Sequence, residues 1–114
     1  MRKIIETTWN ELWPVVNILN EICHGIKIND FEKQIGFKYD EIFSLLEKIE
    51  AYEVKEYEAD LKTTLELNDS TEMSILKNCF RVVLKHIEEW EFSTRIGVSI
   101  SEATAIINKL TEPH

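Results

Sequence analysis

The residues best suited to catalysis or metal binding are few and scattered along this chain. Cys23 and Cys79 show no CxxC spacing and lie among apolar residues, while His24 and His86 stand near the ends of two amphipathic segments. The sequence contains no HExxH motif and no nucleophile elbow, and its three glycines are too few for a phosphate-binding loop. We therefore predict no catalytic residues, no metal and no cofactor, and we do not expect an enzyme.

Charge is distributed very unevenly. Residues 50–72 contain two lysines and eight acidic residues, so they hold −6 of the net charge of −8. Carboxylates around tyrosines suit a basic protein and repel nucleic acid, so we predict a basic protein partner. The predicted contact residues are Tyr52, Glu53, Glu56, Tyr57, Glu58, Asp60 and Glu66. The alternative is that this segment is a solvated linker.

Tryptophan provides a second candidate surface. Trp9, Trp13 and Val16 share one helical face, and polar residues occupy the corresponding positions later in the chain. Either this face packs against residues 51–67, or it forms a partner or homodimer surface. Trp90, which lies among glutamates, is expected to be a partly buried hinge residue.

An internal repeat organises the whole chain. A shift of 61 residues aligns residues 9–49 with 70–110 without a gap. Eight of the 41 aligned positions are identical: Glu11/Glu72, Asn17/Asn78, Ile26/Ile87, Phe31/Phe92, Ile35/Ile96, Gly36/Gly97, Glu41/Glu102 and Lys48/Lys109. Most apolar positions are also shared, which indicates a duplicated unit.

Each unit has the pattern of a helix-turn-helix. A long amphipathic helix comes first, followed by a short turn that ends at Gly36 or Gly97 in the left-handed conformation. A second helix follows, with Asp40 or Ser101 as the predicted N-cap. Thr8–Glu11 and Asp69–Glu72 fit capping boxes for the first helices, although Pro14 would favour a start nearer Asn10.

Residues 51–67 fit two patterns. Leu61, Leu65 and Leu67 alternate as in a strand, whereas Val54, Tyr57 and Leu61 would also fit a helix. The repeat favours strand, because residues 62–69 align with residues 1–8, Ile4 aligns with Leu65, and each unit can then open with a short strand. The predicted fold is therefore one mainly α domain, 1–114, of two tandem helix-turn-helix units (9–49 and 70–110) joined by an acidic linker (50–69). A pseudo-two-fold axis relates the units, and strands at 2–6 and 62–67 pair across it.

The predicted core follows from the shared apolar positions. It comprises Leu19, Ile22, Ile26, Phe31, Ile35, Leu45, Leu46, Phe80, Val83, Ile87, Phe92, Ile96, Ile106 and Ile107. The sequence has no apolar run long enough for a membrane span, and Met1–Glu6 lacks the apolar stretch of a secretion signal. With cysteines that read as reduced thiols, we expect a cytoplasmic protein.

Two resemblances follow. Thr94–Ala103 is similar to the helix-turn-helix of DNA-binding regulators, but its second helix offers Glu102 and only Lys109 as a cation. In size, helical pattern and focused acidic charge, the chain resembles the immunity proteins of bacteria that inhibit nuclease toxins; no motif carries this resemblance. It implies a cytoplasmic inhibitor of a basic toxin domain. The alternatives are a tandem helix-turn-helix regulator and a homodimeric adaptor.

Overall fold

A computed structural model describes residues 2–68 and 71–112, which form six helices and one two-stranded sheet. The first unit contains β1 (Arg2–Thr8), α1 (Trp9–Asn20) extended by a π-helical turn (Glu21–Gly25), α2 (Phe31–Ile35) and α3 (Tyr39–Glu50). A single 3₁₀ turn (Glu56–Glu58) leads to the second unit. This unit contains β2 (Lys62–Asn68), α4 (Glu72–His86), α5 (Glu89–Ile96) and α6 (Ile100–Thr111). Among the described helices, none is both long and apolar enough to cross a membrane.

The predicted duplication is confirmed by the matching elements. The bounds of α3 and α6 differ by the 61 residues of the repeat. Gly36 ends α2 with φ 88°, and Gly97 ends α5 with φ 100°. Only glycine adopts this left-handed conformation at little cost, so both glycines stop the short helix and turn the chain into the next one.

The two units exchange equivalent hydrogen bonds. The side-chain amide of Asn17 in α1 donates to the carbonyl oxygen of Ile96 at 2.8 Å, and Asn78 in α4 donates to that of Ile35 at 2.8 Å. Each bond joins a long helix to the last carbonyl of the short helix in the other unit. Because both partners of both bonds are identical in the repeat, the contacts follow a pseudo-two-fold axis.

A second exchanged pair involves charges. Lys48 Nζ lies 2.8 Å from Glu72 Oε1, and Lys109 Nζ lies 2.6 Å from Glu11 Oε1. Inside each unit α1 packs on α3 and α4 on α6, while α1 contacts α4 and α5 across the axis. The units therefore share one interface and one core.

The sheet departs from the repeat by one residue. Ile5 pairs with Leu65 and both are buried, whereas Ile4 is 66% exposed. The predicted match of Ile4 with Leu65 is wrong, because the strands are related by a shift of 60 while the helices keep 61. The path from Ile5 to Asn17 is one residue shorter than that from Leu65 to Asn78. A shift of one residue along a strand moves every side chain to the other face of the sheet, so the burial of Ile5 determines which register the strands adopt.

The helix starts also differ from expectation. The N-caps of α3 and α6 are Lys38 and Ser99, two residues before the predicted Asp40 and Ser101. This places Glu41 and Glu102 in the third helical position: Glu41 Oε1 accepts from the Lys38 N–H at 3.1 Å, and Ser99 Oγ accepts from the Glu102 N–H at 3.1 Å.

At α1, the predicted Thr8 cap is confirmed, since its Oγ1 accepts from the Glu11 N–H at 3.3 Å. Pro14 is consequently inside α1, where it is buried. The alternative start nearer Asn10 is wrong. Asp69, the corresponding cap predicted for the second unit, lies outside the described residues, but α4 begins at Glu72 with Thr71 as its N-cap, so that prediction is wrong.

Most of the predicted core is buried. The confirmed members are Leu19, Ile22, Ile35, Leu45, Leu46, Phe80, Val83, Ile87, Phe92, Ile96 and Ile107. Ile26, Phe31 and Ile106 are only partly buried and pack at the margin of the core. Phe31 stands beside Tyr39, with ring centroids 5.7 Å apart, on the outer side of α3. Phe92 in the other unit instead packs edge-on against Phe80 and is 0% exposed.

Candidate functional site

Residues 51–61, which connect α3 to β2 and are called the acidic segment below, are held against the first helix. Between α3 and β2 the chain crosses the start of α1, where the Asn10 N–H donates to the carbonyl of Ala59 at 3.1 Å. Ala59 is buried, and Tyr52 packs half-buried against the core. These contacts fix both ends of the stretch that contains the 3₁₀ turn, so the residues between them project from a defined backbone.

The projecting residues carry a net negative charge, with Lys55 as their one cation. Glu53 and Glu56 are exposed, Glu58 is half-buried, and Tyr57 is 79% exposed. Within residues 2–68 and 71–112, the ion pairs include none of these three carboxylates. We call Glu53, Glu56, Tyr57 and Glu58 the acidic surface. It displays an aromatic ring among carboxylates, an arrangement suited to a cationic protein surface.

Two other predicted contact residues, Asp60 and Glu66, already form contacts with residues of the same chain. Asp60 accepts a hydrogen bond from the side-chain amide of Asn10, which further fastens the segment to α1. Glu66 lies on the outer face of β2 and pairs with Arg2 at 2.9 Å. This hydrogen bond raises the pKa of the Arg2 guanidinium. Asp60 therefore helps to hold the segment on α1, and Glu66 forms a solvent-exposed ion pair between the two strands.

Trp9 and Trp13 of the predicted tryptophan face pack against different parts of the protein. Trp9 is half-buried against the core and lines a cleft with Tyr52 and Val54 of the acidic segment. Trp13, also half-buried, lies with its indole ring over Gly97 of the second unit. The two rings thus pack on different parts of the molecule, and only their remaining exposed portions are open to a partner.

Two apolar residues next to the acidic surface are exposed, although the sequence pattern does not predict it. Val54 is 40% exposed and Leu61 is 63% exposed. The alternation of Leu61, Leu65 and Leu67 predicts that all three are buried on the same face of a strand. The strand begins only at Lys62, so Leu61 precedes it and faces outward. No local pattern distinguishes this from a longer strand.

Two further exposed aromatic features lie elsewhere. Trp90 is 77% exposed in the first turn of α5, so its prediction as a partly buried hinge residue is wrong. In the first unit, Phe31, Tyr39, Phe43 and His24 form a continuous row of rings, with centroids 5.7–6.1 Å apart. The second unit has Thr104 at the position of Phe43 and does not repeat the row. A comparison of the two units at equivalent positions could have detected this asymmetry.

The helices that would read DNA in a helix-turn-helix regulator present few free cations. Lys48 is the one lysine of α3 and Lys109 the one lysine of α6, and neither helix contains arginine. Both lysines form the cross-unit ion pairs with Glu72 and Glu11. The exposed residues of these helices are otherwise neutral or acidic. Phosphate binding requires available lysine and arginine side chains, so this geometry opposes groove binding.

The two cysteines have the properties of buried thiols. Burial raises the pKa of Cys79 to about 12 and that of Cys23 to about 11. At neutral pH both therefore stay protonated, and a protonated thiol is a poor nucleophile and metal ligand. The described part of the chain contains no cluster of three metal-binding side chains.

Comparison with protein-family models, with curated proteins and with solved structures yields no match to this chain.

Proposed function

We propose that this protein is a non-catalytic protein-binding module, an inhibitor of the immunity-protein type that neutralises a basic, nuclease-type toxin domain. The observation that carries the proposal is the acidic surface. Tyr57 is 79% exposed among carboxylates that form no ion pair in the described part of the chain. A large exposed ring next to three carboxylates, with Lys55 as the one cation between residues 53 and 58, suits a positively charged partner.

The backbone beneath this surface supports the same conclusion. The hydrogen bonds from Asn10 to Ala59 and Asp60 hold the segment on α1 before any partner arrives. A binding segment that is already ordered loses less conformational entropy on association. Unpaired carboxylates accelerate the encounter with a cationic surface, and a desolvated tyrosine slows dissociation.

Charge reversal tests the acidic surface. The partner is to be sought first as a large protein with a basic C-terminal domain encoded directly upstream. Exchange of Glu53 and Glu56 for lysine should lower the association rate roughly tenfold at low salt and weaken its dependence on ionic strength. A matched control, Glu32→Lys with Glu47→Lys, changes the net charge equally at exposed positions of α2 and α3. This control should retain more of the association rate.

Tyr57→Ala tests the anchor separately. It should increase the dissociation rate by about tenfold or more while the association rate changes little. Surface plasmon resonance resolves the two rates, and circular dichroism verifies the fold. Equal effects of the two double charge reversals, together with an inert Tyr57→Ala, would place the binding surface elsewhere.

A further inference from the structure

A small cleft adjoins the acidic surface, and its shape limits what it can hold. It lies between the start of α1 and the acidic segment, with Trp9, Tyr52, Val54 and Leu61 among the residues that line it. Its volume is about 210 Å³. Pockets for small-molecule ligands usually measure about 300–1,000 Å³. The cleft is therefore the right size for one long side chain of a protein partner.

Two charged residues line the cleft, the acidic Glu58 and the basic Lys62. Glu58 lines it, and the described ion pairs do not include its carboxylate. Lys62 also lines the cleft, but its ammonium group lies 3.2 Å from Glu6 on the outer face of the sheet. Lys62 is thus directed toward Glu6, whereas the carboxylate of Glu58 has no ion-pair partner among the described residues and can meet a cation from outside.

The walls favour one cation over the others. Trp9 and Tyr52 are aromatic, and Val54 and Leu61 are aliphatic. A guanidinium is planar, stacks on aromatic faces, loses its hydration more readily than an ammonium and forms paired hydrogen bonds with a carboxylate. We propose that the cleft accepts an arginine side chain of the basic partner, its stem along Val54 and Leu61 and its guanidinium at Glu58. This inference rests on the proposed function.

The test uses the full chain and a defined probe. Uniformly ¹⁵N-labelled protein is titrated with the peptide acetyl-Gly-Arg-Gly-amide, and the indole N–H signal of Trp9 is followed by NMR. Matched peptides carry citrulline, which is neutral and nearly isosteric, or lysine. We expect the arginine peptide to shift the Trp9 signal and the citrulline peptide to leave it in place. The lysine peptide should bind more weakly than the arginine peptide.

Two variants separate the cleft from general charge attraction. Glu58→Gln should weaken binding of the arginine peptide about fivefold or more, since it removes the one carboxylate among the residues that line the cleft. Glu47→Gln removes the same charge from an exposed position of α3, outside both the cleft and the acidic surface, and should change binding less than about twofold.

Each alternative outcome has a distinct meaning. Equal effects of the two variants, or lysine binding as tightly as arginine, would refute the arginine cleft. If the arginine peptide shifts residues 53–58 but not Trp9, the cleft is likewise refuted, while the acidic surface retains its proposed role. If a hexa-arginine peptide leaves all signals of residues 52–61 in place, the cleft and the proposed function fail together.

Discussion

Replacement of the two equivalent glycines by alanine should have unequal effects. Gly97 ends α5 with φ 100°, and a Cβ atom there would collide with Cη2 and Cζ3 of the Trp13 indole ring. Gly36 ends α2 with φ 88°, but the nearest atom to its Cβ would be Asn78 Nδ2 at 3.3 Å. Both alanines must adopt the left-handed conformation. Only the one at position 97 must also displace a large ring.

The magnitudes follow from these two terms. The left-handed conformation costs about 1–2 kcal/mol for a residue with a Cβ atom, partly offset by the lower entropy of the unfolded alanine chain. Overpacking adds about 1–3 kcal/mol. Gly36→Ala should therefore lose about 1 kcal/mol of unfolding free energy and Gly97→Ala about 3 kcal/mol. In a domain of this size, the difference of about 2 kcal/mol corresponds to about 8 °C in Tm.

The control uses the second unit itself. Ser74 occupies the repeat position equivalent to Trp13, so Trp13→Ser gives α1 the residue that α4 already has. Urea unfolding followed by circular dichroism measures each variant. In the Trp13→Ser background, Gly97→Ala should cost only as much as Gly36→Ala does in the wild type. Equal costs of the two glycine substitutions in the wild-type background would refute the proposed clash.

Three further predictions concern stability. Asn17→Ala and Asn78→Ala should each lower the free energy of unfolding in urea by about 2 kcal/mol, because each removes a 2.8 Å hydrogen bond and leaves a carbonyl of the other unit without its partner. If only one of the two substitutions lowers stability, the two hydrogen bonds are not energetically equivalent. Phe92→Ala should cost about 3–5 kcal/mol in thermal melts. Phe31→Ala should cost about half as much because Phe31 is only partly buried; equal losses would contradict this difference in burial. Burial raises the pKa of Cys79 to about 12, so the folded state keeps the thiol proton after the unfolded state releases it. The protonated thiol therefore contributes its full stabilisation below its ordinary pKa, and this contribution declines as the pH rises toward 12. The difference in unfolding free energy between wild type and Cys79→Ala, measured with urea, should decrease from pH 7 to pH 10.5. A constant difference would show that the thiol titrates alike in both states.

The repeat was visible in the sequence because helical burial follows a local period. Apolar residues spaced three and four apart mark the buried face of each helix wherever its partner lies. The conformation of Gly36 and Gly97 was equally local, since the end of a short helix needs a left-handed residue. These local rules predicted the order of elements, the pseudo-two-fold relation and most of the core.

The one-residue difference in the sheet could not be read from the same pattern. When the shift of 61 residues that relates the helices is extended to the strands, it aligns Ile4 with Leu65. A strand changes its exposed face with every residue, so its register depends on which side the helices cover. The burial of Ile5 in place of Ile4 was decided only when the strands packed on the core.

The candidate site, too, depends partly on the sequence and partly on the tertiary structure. Sequence alone located the excess of negative charge in residues 50–72 and the tyrosines within it, because charge and residue type are properties of the chain. The structure decided which of these charges stay available: Glu66 is paired with Arg2, whereas Glu58 is not paired within the described chain. Exposure of Leu61 and Trp90 was also decided there. Availability depends on which distant element lies beside each side chain, and only the docking of the two units determines that.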